Sequence, residues 1–356
     1  MTTLAESSRN PGGIVIAVDA MGTDAGPEAL VKGAARALKD GVRATIVFFG
    51  DEALLRPLIA AERTLAGATV EHCAASVAMT DKPMHVLRRG RDTSMWKAVA
   101  AQKEGRVQAV VSGGNTGALM AVSRMQLGMI PGVDRPAVTA LWPTPRGRVV
   151  VLDVGANVEA NEHELVNYAI MGEAFFRALT GKKKPTVGLL NVGAEELKGH
   201  GLIRTAARVL READPDMAFK GFVEGNDISL GSVDVVVTDG FTGNIALKSA
   251  EGAARLLGGW VKEALKNSLF SKLGALFMIR ELRVLKERID PSSVNGGVFL
   301  GVNGIVVKSH GGADDRGVAA AVEMAANLAG KGFRQEVSET VALVLARAAK
   351  TLEAAE

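Results

Sequence analysis

Short apolar runs and longer amphipathic stretches alternate along the chain. IVIAVDA (14–20) precedes a Pro-initiated amphipathic stretch from Pro27 to about Lys39, and ATIVFFGD (44–51) precedes a second. VQAVVSGGN (107–115), VVVLDVGAN (149–157), TVGLLNVGA (186–194), VDVVVTDGF (233–241) and GIVVKSHGG (304–312) repeat the design. The runs are apolar at consecutive positions, as parallel strands buried on both faces require. Strand and helix in turn predict βαβ units and a doubly wound sheet. Residues 315–354 read as two Ala-rich helices covering it.

The chain of 356 residues is long enough for one or two domains. With no fixed-period repeat or low-complexity linker, it reads as a polar tail (1–12) and a single α/β catalytic domain (13–356). Aromatics make up only 4%, so the core must rest on Ala, Val, Leu and Ile. A formal charge of +3 is too small to indicate nucleic-acid binding. The single cysteine, Cys73, excludes an intrachain disulfide and points to a reducing compartment. The N-terminus lacks an apolar signal core, and no apolar run approaches the ~20 residues that span a bilayer. The expected location is the cytoplasm, unless the protein is held at a membrane surface.

Ligands of open α/β sheets bind beyond the carboxyl ends of the strands. The loops there are SGGNTGA (112–118), DVGANVE (153–159), NVGAEELKG (191–199), VEGND (223–227), TDGFTGN (238–244) and KSHGGADD (308–315). Glycine lets backbone N–H groups turn toward an anion, and a following helix N-terminus adds partial positive charge. Any one such loop is as readily explained by turn geometry. Six of them, expected on one sheet edge, point to a phosphate-type anion site. No G-x-G-x-x-G, P-loop, H-E-x-x-H or G-x-S-x-G string occurs, which argues against a dinucleotide fold, an NTPase, a zinc site and a serine elbow. No cofactor and no metal are expected, and Cys73 reads as a small core residue.

These loops, with AVDAMGTDAGPEA (17–29), DKPMHVLRRGRDTSM (81–95), PGVDRPA (131–137), IMGEAF (170–175) and DVVVTDGFTGNIALKSAEG (234–252), make the chain resemble the bacterial acyl-ACP:phosphate acyltransferases of phospholipid synthesis from Ile14 to about Asn327. The resemblance implies reversible transfer of a fatty acyl group from acyl-carrier protein (ACP) to inorganic phosphate. The acyl-phosphate would feed a membrane glycerol-3-phosphate acyltransferase. It also implies a three-layer αβα sandwich similar to phosphotransacetylases and the isocitrate dehydrogenase-like group, a homodimer, and peripheral contact with an anionic membrane at the inner face of the plasma membrane. The chain departs from the family at MGTDAGP, where a second glycine and a histidine are usual, and at EANEHEL, where a Cys-Lys-Pro run is common. AEELKGH (194–200) departs too, leaving Lys198 and Gly199 as candidates there.

Phosphate is already largely dianionic near neutrality, and a thiol leaves readily as thiolate. Direct attack therefore needs positioning and oxyanion donors rather than a covalent nucleophile. The catalytic candidates are Lys308, His310 and Asn244. Those for phosphate or substrate binding are Gly113, Gly114, Asn115, Thr116, Asp153, Asn157, Lys198, Asp239 and Gly243. Lys308 is either a phosphate ligand or a partner of Asp314 or Asp315. His310 is either a proton donor or a structural group. Asp19, Asp153 and Asp239 are expected to orient donors or cap helices, since carboxylates repel phosphate.

Arg88, Arg89 and Arg91 form either a dock for an acidic carrier protein or a solvated charged face. Residues 262–288 carry seven basic and three acidic side chains with leucines at helical spacing. Residues 250–292 are expected to form an amphipathic helical hairpin for dimer or membrane contact, with Leu269, Phe270, Leu273, Leu276 and Phe277 as membrane candidates. The alternatives are a phosphotransacetylase-like acyl-CoA enzyme and a non-catalytic acyl- or phosphate-sensing membrane scaffold.

Overall fold

The computed structural model describes residues 13–213, 217–266, 276–282, 297–330 and 332–353. Among them eleven strands form one sheet in the order β3-β2-β1-β4-β11-β10-β5-β6-β9-β7-β8. The strands are β1 Ile14–Asp19, β2 Ala44–Gly50, β3 Thr69–His72, β4 Ala109–Ser112, β5 Ala137–Thr144, β6 Gly147–Leu152, β7 Thr186–Leu190, β8 Ala218–Val223, β9 Val235–Val237, β10 Gly297–Leu300 and β11 Val306–Lys308. The helices are α1 Gly26–Lys39, α2 Glu52–Ala60, α3 Pro83–Arg89, α4 Ser94–Lys103, α5 Thr116–Leu127, α6 Glu162–Thr180, α7 Gly201–Ala213, α8 Gly225–Leu230, α9 Gly240–Lys266, α10 Asp315–Gly330 and α11 Phe333–Glu353.

The consecutive apolar positions are explained by two cores, one on each face. Ile16 and Val18 of β1, with Val150 and Leu152 of β6, face a core built with α1, α6, α7, α10 and α11. Ala17, Val149 and Val151 point the other way, to a core shared with α3, α4, α5 and α8. Because side chains alternate across a strand, only a strand apolar at every position can serve both cores. The result is the mixed α/β, three-layer architecture with a mostly parallel sheet that the pattern predicts. Cys73 is buried in the second core.

The placement of the loops is different from the expectation. β3-β2-β1-β4-β11 pair in parallel, and so do β6-β9-β7-β8. Between the blocks lie three antiparallel steps in succession, β11 with β10, β10 with β5, and β5 with β6. An odd number of reversals makes the two parallel blocks run in opposite directions. The loops after β1, β4 and β11 therefore leave one edge of the sheet, and those after β6, β7, β8 and β9 leave the other. The six loops do not share one edge. Connectivity decides this, and β5 and β10 carry no separate signal in the alternation of strand and helix.

Candidate active site

Register brings the first centre together. Asp19 at the end of β1 stands opposite Ser112 at the end of β4, and Lys308 at the end of β11 stands opposite the same Ser112. The Ser112 hydroxyl donates to Asp19 Oδ2 at 2.7 Å and accepts the Gly114 N–H at 3.1 Å. The Lys308 ammonium donates to the carbonyls of Gly113, at 3.2 Å, and Ser309. Close approach requires Gly113 and Gly114. A Cβ on the first would meet Thr23 Cγ2 at 2.7 Å, and on the second Met95 Cε at 2.8 Å. The loop 19–26, the glycine loop 112–116 and the loop after β11 thus close around Lys308.

Lys308 has no ion pair with Asp314 or Asp315. Asp315 pairs with Arg36 at 2.9 Å, and Asp314 accepts the N–H groups of Arg316 and Gly317 at the start of α10. Burial pushes the Lys308 ammonium down to about 8, against the upward pull of Asp19 and Asp24. Desolvation disfavours the cation, so an arriving anion meets a charge that little water screens. Asp19 is fully buried, and burial raises its carboxyl above the usual range despite Ser94 and Ser112 beside it.

Asn115 is an organiser of this loop. Its Oδ1 caps α5 by accepting the Ala118 N–H at 3.0 Å, and its Nδ2 donates to the carbonyls of Met79 and Asp81, each at 2.9 Å. This leaves Thr116, exposed at the first helical position, and the α5 N-terminus turned to solvent. His310 Nδ1 accepts the Gly312 N–H at 3.3 Å, which puts the proton of the neutral ring on Nε2. Burial lowers the His310 pKa first of all. Lys248, Lys308 and Arg255 lower it further, against Glu251, so the ring is neutral at pH 7.

The second group of candidates lies at the other edge and is tightly knotted. Asp153 Oδ1 accepts the N–H groups of Val138, Gly155 and Ala156, and Oδ2 accepts the Asn157 N–H at 2.7 Å. Asn157 Nδ2 donates to Pro136 O at 2.7 Å, Tyr168 Oη at 2.9 Å and Asp153 Oδ2 at 3.0 Å. Asp239 caps α9, accepting the Thr242 N–H at 2.8 Å. A Cβ on Gly243 would overlap the Asp153 carbonyl oxygen, so this glycine lets α9 dock on the 153–157 loop. Asn244 is exposed one position on, against Gly155. Asn244 thus lies with the 153–157 loop at this edge. What connects the edges is α9 itself, whose Lys248, Glu251 and Arg255 come within electrostatic range of His310.

Lys198 follows β7, exposed and paired with Glu195 at 2.9 Å; no contact among the described residues links it to Lys308. Arg88, Arg89 and Arg91 are exposed at the end of α3 and just beyond it. Pro83, at the start of α3, would lie 3.1 Å from a Cβ on Gly117 of α5, so α3 flanks the glycine loop. Leu269, Phe270 and Leu273 lie outside the described residues. Leu276 and Phe277 are 63% and 86% exposed, and Leu256, Leu257 and Trp260 of α9 are exposed too. No helix among the described residues is long and apolar enough to cross a membrane. No cluster among them has the His, Cys, Asp or Glu ligands for a metal ion.

Sequence reasoning missed Ser94, Ser112, Lys248, Glu251 and Arg255. Ser94, Ser112, Lys248 and Glu251 fall inside motifs read above, but only strand register and the path of α9 place them near Asp19 and His310.

The fold has solved counterparts. A phosphotransacetylase from Streptococcus pyogenes superimposes with a TM-score of 0.60 at 17% identity, covering 89% of this chain and 94% of that one. The EutD phosphotransacetylase from Staphylococcus aureus gives 0.58 at 15%, with the same coverage. Among curated proteins, phosphate acyltransferases from Maricaulis maris and Caulobacter vibrioides are 54% and 50% identical. The matches cover 90% and 94% of this chain and 93% and 94% of theirs. The model of the family described as "Fatty acid synthesis protein" matches residues 14–336, and the chain belongs to that family.

Proposed function

We propose that this acyltransferase moves a fatty acyl group from acyl-ACP to inorganic phosphate, reversibly and without a covalent enzyme intermediate. The observation that carries the reading is the half-buried Lys308 cation at a strand end, set against the glycine loop 112–114 that leads into the Asn115-capped N-terminus of α5. Such a junction suits a small tetrahedral anion. Nearby nucleophiles are engaged or enclosed, with the Ser112 hydroxyl bound to Asp19, Ser94 and Ser309 fully buried, and Cys73 in the core. Phosphate held there attacks the thioester carbonyl, a C–O bond forms, and the C–S bond breaks with its electron pair leaving on sulfur. Neutral His310, with its proton on Nε2, donates to the oxyanion or to the departing thiolate. Asp153, Asn157, Asp239 and Gly243 serve by fixing the base of α9, which carries Lys248 and Arg255 toward His310.

The exposed arginines after α3 suit the acidic surface of a carrier protein. The uncovered apolar side chains of α9 and of Leu276 and Phe277 suit a twin subunit or an anionic membrane surface. The deciding experiment offers palmitoyl-ACP and palmitoyl-CoA separately, with phosphate, and traps acyl-phosphate as its hydroxamate. Product from the ACP thioester supports the reading. Product from CoA alone makes the protein a phosphotransacetylase-like enzyme, and phosphate-dependent binding without thiol release makes it a sensing scaffold.

A further inference from the structure

Asp19 has no part in the chemistry above, yet it is among the most deeply enclosed polar side chains at this edge, 1% exposed. It sits on the strand next to Ser112, which in turn neighbours Lys308. One carboxylate oxygen, Oδ2, takes the Ser112 hydroxyl proton, and that same hydroxyl receives the Gly114 N–H. Its second oxygen, Oδ1, is buried without a well-formed hydrogen bond, although the Ser94 hydroxyl and the Met21 N–H lie close enough to the carboxylate to favour its charged form. A buried carboxylate left half-satisfied costs stability, so its presence calls for a role that alanine or leucine would not fill.

We propose that Asp19 is a positioning residue that acts through Ser112 and Lys308, holding the glycine loop and the ammonium as one anion-receptive unit. The inference rests on the phosphate-binding reading of this site. It has two separable parts. Through the Ser112 hydroxyl, Asp19 fixes the direction of the Gly114 N–H and so the entry to α5. Through its charge, Asp19 keeps Lys308 protonated in a place where burial opposes the cation; Asp24 adds to this pull from the loop after β1. The charged group that bears on Lys308 besides Asp19 is Asp24, and Lys308 in turn acts on His310, which also feels Lys248, Glu251 and Arg255 of α9. Asp19 does not touch phosphate, since the serine and the glycine loop stand between.

The test compares Asp19→Asn and Ser112→Ala with wild type, using thiol release from palmitoyl-ACP against phosphate concentration from pH 6.5 to 9.5. Asp19→Asn should raise the phosphate KM about tenfold or more, and move the alkaline fall of kcat/KM for phosphate to lower pH by about one unit. Ser112→Ala should raise KM while leaving the alkaline fall where wild type has it, because the charge remains. Thermal stabilisation by added phosphate, read in the same variants, should fall in parallel with KM. An unchanged alkaline limb in Asp19→Asn overturns the charge part, and an unchanged KM in both variants overturns the whole proposal. If wild type itself shows no phosphate-dependent thiol release, the functional reading fails instead.

Discussion

Replacing Lys308 with methionine should make the protein more stable and less active. The ammonium is held at about 8 against lysine's usual 10.5, a displacement of about 2.5 units. At about 1.4 kcal/mol per unit, that is a cost of about 3 kcal/mol for keeping the charge in the folded state at neutral pH. Methionine keeps the length of the side chain and abolishes the cost. It also strands the Gly113 and Ser309 carbonyls that the ammonium serves, at about 1 kcal/mol each. A net gain of about 1–2 kcal/mol remains, which for a chain this long raises Tm by roughly 1–3 °C. The sign with pH follows from linkage. A lysine whose folded pKa is depressed binds fewer protons folded than unfolded between about 8 and 10.5, so wild type gains stability as pH rises through that window. The advantage of Lys308→Met should therefore be full near pH 7, cross zero at about pH 9 and turn into a deficit of about 1–2 kcal/mol toward pH 10.5, where only the lost hydrogen bonds to the carbonyls remain. Scanning calorimetry on both proteins from pH 7 to 10 measures it, with phosphate KM measured alongside. A variant less stable than wild type at pH 7, or one with an unchanged phosphate KM, refutes the assignment of Lys308 as a desolvated anion ligand.

Three further outcomes are expected. Gly243→Ala forces a methyl group into the Asp153 carbonyl and should destabilise the fold by about 3 kcal/mol or more through overpacking at a rigid contact, seen as a lowered urea midpoint. His310→Gln should reduce kcat by about 10–100-fold with little change in phosphate KM. Because burial lowers the His310 pKa from its usual value, the ratio of wild-type to His310→Gln kcat should hold level from pH 8 to 7, and a ratio that falls across that interval would contradict the neutral-donor role. Reversing Arg88, Arg89 and Arg91 together to Glu should raise the KM for acyl-ACP at least tenfold at low salt and leave an acyl-pantetheine thioester unaffected. An equal effect on both donors would remove the docking assignment.

Much of the architecture was legible because it depends on local periodicity. Seven apolar runs became β1, β2, β4, β6, β7, β9 and β11, and the Ala-rich stretch from 315 became α10 and α11, since strands serving two cores are apolar throughout. Resemblance to a family carried the chemistry, through loops whose residues are read directly from the chain. What no run of residues displays is direction. β5 and β10 turn the sheet over, dividing six similar Gly-rich loops between two edges. Hydrogen bonding then separates look-alike residues, for Asn115, Asp153 and Asn157 spend their polar groups on neighbouring backbone, whereas Lys308 is set at the mouth of the glycine loop. The sequence by itself determined the layers, the family and the kinds of group available. Only tertiary structure decided which of them meet, because strand register and long-range pairing, not spacing along the chain, place Asp19, Ser112 and Lys308 side by side.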